Sequence, residues 1–209
     1  MRTLVIDCST DACSTALFEG AELIAGFHEM LGRGHAERLV PMIADLPDKG
    51  RAEKIVVACG PGSFTGVRVG IATARALAFA WQAELAGYST PALIAAMARS
   101  KLGDQDIAVA MTGGHGEWFV EGFAADGSIR RPLASLNPDE AAAQSAEHLV
   151  AGTRAEELVE LRGSGQALPL WPDARSYPHL PAGAITANAQ PIYGRGPDAK
   201  LPTVAVGAK

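Results

Sequence analysis

Short apolar runs and longer stretches with helical spacing alternate through the first half of the chain. The short runs are rich in β-branched residues and predict strands at residues 3–10, 14–19, 23–29 and 54–59. Apolar side chains recur at helical spacing in residues 35–46 and 67–85, which predicts two helices. Pro41 lies within the first helix and is expected to kink it or to confine it to its early turns.

A further strand and a further helix complete this half. The strand ends near Tyr88, and the helix covers residues 90–101 with Thr90 as its cap and Pro91 at its first position. The element order is then β-β-β-α-β-α-β-α, which is the order of the ribonuclease H and actin-like folds. We therefore predict a two-lobed α/β protein of actin-like, ribonuclease H-like fold, with a complete N-terminal lobe at residues 1–102.

The remaining residues, 103–209, are expected to form a reduced C-terminal lobe. Apolar runs predict strands at residues 107–111, 117–124, 129–133 and 158–161, and a helix is predicted at residues 138–150. Proline recurs every few residues after Pro169, so the tail is expected to be mostly irregular.

A glycine-rich loop joins the strand at residues 54–59 to the long helix. Its glycines are Gly60, Gly62 and Gly66, with Ser63 among them. Backbone N–H groups at such a turn, together with the positive end of a helix dipole, suit an anion such as phosphate. The spacing fits neither a Walker loop nor a dinucleotide fingerprint. A tight turn that needs glycine for its backbone angles explains the pattern more simply, and phosphate binding stays open.

The helix that follows this loop carries two apolar stripes. Small residues such as Gly70 and Ala74 let another backbone approach closely along much of its surface. One stripe can cover the sheet, and the other is left for a neighbouring helix or for another protein. A fully internal helix fits the same pattern.

Composition narrows the class of protein. The 209 residues carry a net charge of −5, whereas binding of nucleic acid needs clustered lysine and arginine. Neither a basic leader with an apolar core nor an apolar run of membrane-spanning length is found, so we expect a cytoplasmic protein without membrane contact. Cys8, Cys13 and Cys59 are expected to be reduced, buried thiols, and no metal site is expected.

Candidate catalytic groups are sparse. Asp7 is well placed for a ribonuclease H nuclease, but the strand at residues 54–59 offers no carboxylate to complete a two-metal site. The five histidines never show the His-x-x-x-His spacing of metal-dependent actin-like enzymes. Ser63 and Cys8 lack an identifiable base, and Ser63 is more simply a loop or cap residue. No catalytic residue is therefore assigned.

Several segments, taken together, resemble the TsaB (YeaZ) family. They are Ile-Asp-Cys-Ser-Thr at residues 6–10, His-Ala-Glu-Arg-Leu-Val-Pro at 35–41, the glycine block at 60–70, and Pro-Ile-Tyr-Gly-Arg-Gly-Pro-Asp-Ala-Lys at 191–200. Two departures from the family pattern stand out. Cys8 replaces a common threonine, and residues 112–118 replace an Asp-Ala-Arg-x-x-Glu-Val-Tyr stretch.

The resemblance implies a non-catalytic, actin-like scaffold subunit of the bacterial machinery for threonylcarbamoyladenosine. That modification lies beside the anticodon of tRNAs reading codons that begin with adenine. The implied partners are the catalytic subunit TsaD, which holds the metal, the ATPase TsaE, and a second copy of the chain when it is alone. The resemblance also implies tRNA contact only through the complex and no cofactor of its own, while weak binding of ATP or ADP stays open.

Family interfaces use the first two helices. The resemblance therefore places at or near the partner surface Leu39, Met42, Ile43, Val69, Thr73 and Ala76, with Arg68 at the rim. A phosphate or nucleotide site would comprise Asp7, Ser9, Gly60, Gly62, Ser63 and Gly66. The alternative function is a stand-alone enzyme, either an actin-like nucleotide hydrolase that uses this loop or a peptidase that acts on its partner.

Overall fold

The first lobe is built on a mixed sheet flanked by three helices. The structure, a computed structural model, describes residues 1–194. In chain order the elements of this lobe are β1 (Arg2–Asp7), β2 (Ala12–Glu19), β3 (Glu22–Met30), α1 (His35–Ala44), β4 (Lys54–Ala58), α2 (Phe64–Trp81), β5 (Glu84–Tyr88) and α3 (Thr90–Leu102). The predicted order of strands and helices is confirmed.

The strands of this lobe lie in the order β5-β4-β1-β2-β3. β1 pairs in parallel with β4, and β4 in parallel with β5, while β2 and β3 are added by antiparallel hairpins. Parallel neighbours need a crossover, and α2 supplies it between β4 and β5. Because β1 and β4 are parallel neighbours, the turn after β1 and the glycine loop after β4 lie at the same edge of the sheet.

The second lobe repeats this plan with shorter elements. They are β6 (Ile107–Thr112), β7 (Trp118–Phe123), β8 (Ile129–Leu136), α4 (Pro138–Gln144), β9 (Leu149–Ala151), α5 (Ala155–Arg162) and β10 (Gln166–Leu168). The sheet order is β10-β9-β6-β7-β8. The three strands β6 to β8 again form antiparallel hairpins, and β9 is again parallel to the first of them. The prediction of a reduced second lobe is confirmed by this smaller sheet, and its repeat of the first lobe's strand pairing is a finding of the structure.

Three local predictions were wrong. The helix predicted at residues 138–150 ends at Gln144, because the buried run Leu149–Ala151 is the strand β9 beside β6. Residues 158–161 lie in α5 rather than in a strand, since Ala155 and Leu158 are the buried positions and their spacing is helical. The cap of α3 is Ser89, and Thr90 is already helical.

The segment after β10 returns to the first lobe. Two short 3-10 turns, Ala174–His179 and Ala182–Ala184, lead into β11 (Ile185–Thr186), which pairs with β5 at the edge of the first sheet. The lobe boundary predicted after residue 102 coincides with the end of α3 and stays a prediction. The end of the predicted irregular tail, with residues 195–200 of the family-like segment, lies outside the described residues.

The core runs between the lobes through α3. This helix buries Leu93, Ile94 and Met97 in a cluster that includes Val56 of the first sheet and Val109 of the second. A second cluster lies between the first sheet, α1 and α2. Pro41 sits inside α1, which ends at Ala44, soon after the proline. Among the described residues, no helix is long and apolar enough to cross a membrane.

Candidate functional site

Asp7, the last residue of β1, is buried among hydrogen-bond donors. Its Oδ1 accepts from the Ser9 backbone N–H at 2.9 Å and from the Ser9 hydroxyl at 2.6 Å, and its Oδ2 accepts from the Tyr88 hydroxyl at 2.8 Å. Burial raises the pKa of Asp7 above its ordinary value, and these hydrogen bonds act in the opposite direction. The carboxyl therefore joins the end of β1 to the end of β5.

We expect Tyr88→Phe to lower the free energy of unfolding by about 1–3 kcal/mol, because Asp7 Oδ2 would stay buried without its donor. Urea unfolding followed by circular dichroism measures this loss. Tyr193→Phe is the matched control, since the Tyr193 phenol is exposed and accepts a hydrogen bond from the partly exposed Arg68 side chain, and its effect should stay within about 0.5 kcal/mol. Equal losses in the two variants would contradict a special role for the Asp7–Tyr88 pair.

The glycine loop packs its backbone directly against the turn that follows β1. A Cβ atom on Gly62 would lie 2.0 Å from the Ser9 carbonyl oxygen, and a Cβ atom on Gly66 would lie 2.0 Å from the Cys8 carbonyl oxygen. Gly60 has a φ of +89°, a conformation that favours glycine. Gly62 and Gly66 are required because another backbone segment lies too close for a side chain, and Gly60 is required by its positive φ. The interpretation of the glycine loop as a tight turn is confirmed.

Some of the loop's N–H groups are already used within the chain. The Ser63 N–H donates to the Ser9 carbonyl oxygen at 2.7 Å, and the Ser63 hydroxyl accepts from the Gly66 N–H at 3.2 Å. Ser63 is the N-cap of α2, as the cap interpretation predicted. Nucleotide or phosphate binding by Asp7, Ser9 and this loop stays a prediction.

A cleft of about 790 Å³ opens between the glycine loop and the second lobe. Its floor and walls come from the turn after β1, the glycine loop, residues 112–115 and residues 191–194. Much of its lining is apolar, from Phe64, Val67, Phe119 and Ile192. The cleft therefore places the polar backbone groups of the glycine loop beside the aromatic side chains of Phe64 and Phe119.

Two arginines of α2 hold the tail against this cleft. The guanidinium carbon of Arg68 lies 3.2 Å from the centre of the Phe64 ring and 5.4 Å from that of Tyr193. Arg68 also donates to the Tyr193 hydroxyl at 3.1 Å, and Arg75 donates to the carbonyl oxygen of Ala189 at 2.8 Å. The positive charges that α2 brings to this edge are thus engaged by aromatic rings and backbone.

The other candidate nucleophile, Cys8, is buried beside Cys13. Their Sγ atoms lie 3.5 Å apart, and all three cysteines are free and buried, which confirms the predicted reduced thiols. Burial raises the pKa of the Cys59 thiol to about 11. Within residues 1–194, no three or more His, Cys, Asp or Glu side chains come together in a way that would hold a metal ion.

The helices α1 and α2 both present exposed apolar surface. On α2, the stripe of Val69, Thr73, Ala76 and Ala80 follows helical spacing and is partly or fully exposed. Phe79 beside it has 81% of its surface exposed, and Val40 on α1 has 56% exposed. We call the partly or fully exposed residues Val40, Val69, Thr73, Ala76, Phe79 and Ala80 the helix face. Arg68 lies N-terminal to it.

The structure corrects the expected interface at α1. Leu39 and Met42 are fully buried and Ile43 is 3% exposed, all in the core between α1, α2 and the first sheet. Their apolar spacing therefore marks the inner side of α1, so these three side chains cannot touch a partner in this conformation. Val40 lies on the exposed outer side of α1, and the role of Arg68, Val69, Thr73 and Ala76 as partner contacts stays a prediction.

Sequence reasoning missed three aromatic residues near these surfaces. Phe64 and Tyr193 flank Arg68, and Phe79 projects from the last turn of the alanine-rich helix. Phe79 belongs to neither of the two apolar stripes of α2, and a large aromatic residue outside both stripes was the signal that it is exposed. No comparable signal identified Tyr193, because its contact with Arg68 joins residues far apart in the chain.

Comparisons with known proteins agree with this geometry. A family model described as TsaD, tRNA N6-adenosine threonylcarbamoyltransferase, matches residues 28–160. The chain is 36% identical over 131 residues to the tRNA threonylcarbamoyladenosine biosynthesis protein TsaB of Escherichia coli, covering 60% of this chain and 56% of that protein. It is 42% identical over 84 residues to TsaB of Haemophilus influenzae, covering 38% of this chain and 35% of that protein.

The chain therefore matches about half of the length of these curated relatives or less. Over nearly the whole described fold it is similar to the solved structure of YeaZ from Pseudomonas aeruginosa, with a TM-score of 0.75 and 28% identity. That match covers 92% of this chain and 99% of the YeaZ chain. With the family model, the curated relatives and the two-lobed topology in agreement, the chain belongs to the TsaB (YeaZ) family and has an actin-like fold.

Proposed function

We propose that this protein acts in the synthesis of threonylcarbamoyladenosine in tRNA, as a scaffold subunit without catalytic groups of its own. Its curated relatives are named as biosynthesis proteins for this modified nucleoside. The partner in this proposal is a catalytic TsaD subunit, which this chain binds and activates, and the ATPase TsaE joins the pair. Contact with tRNA then occurs through the complex.

The observation that carries the proposal is the exposed helix face. Small residues on α2 let a second helix approach its backbone closely, and Phe79 supplies a large apolar side chain that water now covers. Burial of one such side chain stabilises an interface by about 1.5–3 kcal/mol. Apolar surface of this kind, rimmed by Arg68 and Arg75, is typical of a protein-binding site.

The polar groups at the glycine loop support a scaffold rather than an enzyme. Asp7 is engaged by Ser9 and Tyr88, and Ser63 caps α2. Cys8 is 1% exposed, which leaves little access for a substrate. These contacts give each candidate catalytic group a structural role, so we place the catalytic chemistry of the proposed complex on the partner subunit.

We expect Thr73→Arg and Phe79→Ser each to weaken association with the TsaD protein of the same organism by about tenfold or more, because one adds a charge to the helix face and the other removes its largest side chain. Light scattering of the chain alone and of the mixture measures the masses. In the proposal the chain alone is a homodimer that exchanges into the mixed complex.

Leu161→Ser is the matched control for Phe79→Ser. Leu161 is an exposed apolar side chain on α5, away from the helix face, with 51% of its surface exposed. This variant should keep both the homodimer and the mixed complex. A wild-type chain whose mass never changes on mixing, with or without ATP, would overturn the proposed partnership. Calorimetry with ATP then tests the stand-alone nucleotide hydrolase.

A further inference from the structure

A second cavity, of about 780 Å³, lies on the other side of the tail from the cleft. Pro191 and Ile192 line both cavities, so this short segment separates them. The second cavity is bounded by α3, by the turn between β7 and β8, and by residues 181–192. Its volume lies in the range of sites for small molecules. The proposed scaffold role makes no use of it.

Glu121 on β7 contributes a buried carboxyl to this cavity. Side chains alternate along β7, so Glu121 shares the face of Phe119 and Phe123, which pack in the core between the lobes. Glu121 is 5% exposed, and none of the hydrogen bonds or ion pairs within residues 1–194 involves its side chain. The charge of Arg131 on β8 attracts Glu121, but the two form no ion pair within 4.0 Å; Arg131 Nη2 pairs with Glu147, and its buried Nη1 has no hydrogen-bond partner within residues 1–194. Burial raises the pKa of Glu121 to about 7.

Arg99 on α3 contributes a guanidinium without a fixed partner. Its Nη1 is buried and donates to no acceptor among the described residues. Its Nη2 lies against Gly127 in the turn between β7 and β8, where a Cβ atom would be only 2.9 Å away. Asp104 and Asp126 attract it, but neither forms an ion pair with it within 4.0 Å in the described part of the chain. Burial lowers the pKa of Arg99.

Glu121 and Arg99 thus line one cavity, together with Asp126, without pairing with each other. They form no ion pair within 4.0 Å, although the Glu121 carboxyl and Arg99 Nη1 are both removed from water at a cost that a partner would offset. Buried polar groups are normally satisfied, and exceptions concentrate at sites that bind a ligand. A ligand that satisfied both groups would carry a negative group at the α3 side and a positive group at the β7 side.

We propose that this cavity binds a small zwitterion, an amino acid or a close derivative of one, whose carboxylate pairs with Arg99 and whose ammonium group pairs with Glu121. Arginine suits a carboxylate because its planar donors match the two oxygens. The remaining lining offers both apolar and polar contacts to the rest of such a molecule, from Ala92, Phe123, Ile129, Ser89, Thr186 and Asn188.

Isothermal titration calorimetry of the full chain tests the site with glycine, L-serine, L-leucine and L-phenylalanine as probes. The best of these probes is then compared with its amide, which lacks the carboxylate, and with its N-acetyl derivative, which lacks the ammonium group. We expect at least one amino acid to bind at millimolar concentration or below. Both derivatives should bind about tenfold more weakly or worse, since each loses one charge-assisted contact.

Variants at the two charged residues locate the binding. Arg99→Gln and Glu121→Gln should each weaken binding about tenfold or more. Arg33→Gln and Glu22→Gln remove the same charges at exposed positions away from the cavity and should leave the affinity unchanged. Circular dichroism melts confirm that each variant is folded, and Glu121→Gln in particular keeps the shape of the side chain while removing its charge.

Three results would overturn the proposal. One is the absence of binding for all four amino acids, and another is binding that persists unchanged in both Arg99→Gln and Glu121→Gln. The third is equal affinity for the amino acid, its amide and its N-acetyl derivative. A site for a zwitterion must bind more weakly when either the carboxylate or the ammonium group is removed. The outcome does not depend on the helix face, so failure here leaves the proposed partnership untouched.

Discussion

Replacing Gly66 by alanine is expected to lower the free energy of unfolding by about 3–5 kcal/mol, a large share of the roughly 5–15 kcal/mol of a typical domain. The new Cβ atom would lie 2.0 Å from the Cys8 carbonyl oxygen, far inside van der Waals contact. Both atoms belong to or adjoin the backbone, so neither can swing away. Either α2 or the end of β1 must move, and both contribute to the core between α1, α2 and the first sheet.

Gly114→Ala is the matched control for Gly66→Ala. Nothing lies within 4 Å of a Cβ atom at Gly114, so the same added methyl group meets open space. Its effect on unfolding by urea should stay within about 0.5 kcal/mol. If Gly66→Ala were as stable as this control, the close approach of the glycine loop to the turn after β1 would be wrong, and the loop would regain freedom to move around a bound anion.

The second large effect concerns Glu121 and pH. We expect Glu121→Gln to stabilise the protein by about 3 kcal/mol at pH 8 and to change its stability little near pH 4, both relative to the wild type. Burial raises the pKa of this carboxyl from an ordinary value of 4.5 to about 7. The glutamine variant has no charge to desolvate at any pH, and it fills the same space.

The direction of this effect follows from proton uptake. Between pH 4.5 and about 7 the folded protein keeps the Glu121 proton while the unfolded chain releases it. The unfolded state binds fewer protons in this window, so the stability of the wild type falls as the pH rises and the loss is complete above the folded pKa. The difference between wild type and variant should therefore grow across this window and level off above it.

Urea unfolding at a series of pH values measures this difference. Glu22→Gln serves as control, because Glu22 is exposed at the start of β3 and its loss should give a nearly constant offset across the series. A difference between wild type and Glu121→Gln that is independent of pH would show that the pKa of Glu121 is the same in the folded and the unfolded protein, so that folding does not desolvate its charge.

Local sequence signals predicted the first lobe well because its elements are long and strongly patterned. The hairpins of β1 to β3, the buried strand β4 and the alanine-rich α2 each carry the periodicity of their own structure. Ser63 was recognisable as a cap from its position before the helix. In the second lobe β9 and β10 have only three residues each, too few for periodicity to separate a strand from a helix.

The candidate site was harder to predict from the sequence. Apolar spacing correctly indicated that Leu39, Met42 and Ile43 share one side of α1, but the resemblance placed that side at a partner, whereas the fold buries it in the core. Apolar periodicity indicates that one face of a helix is buried. It does not indicate whether the protein's own core or a partner protein buries that face. The exposure of Val40 on the outer side of α1 was shown only by the packing of this helix on the sheet.

The sequence by itself determined the order of the elements in the first lobe, the family and the turn at the glycine loop, because these depend on residues close together in the chain. Tertiary structure alone decided the contacts between distant residues. It brought Tyr88 to Asp7, Tyr193 to Arg68, and Arg99 and Glu121 to the two sides of one cavity. The burial of Glu121 depends on how the lobes pack together. This burial raises the pKa of Glu121 and so decides the pH at which its side chain becomes charged. That packing has no signature in the spacing of residues along either strand or helix.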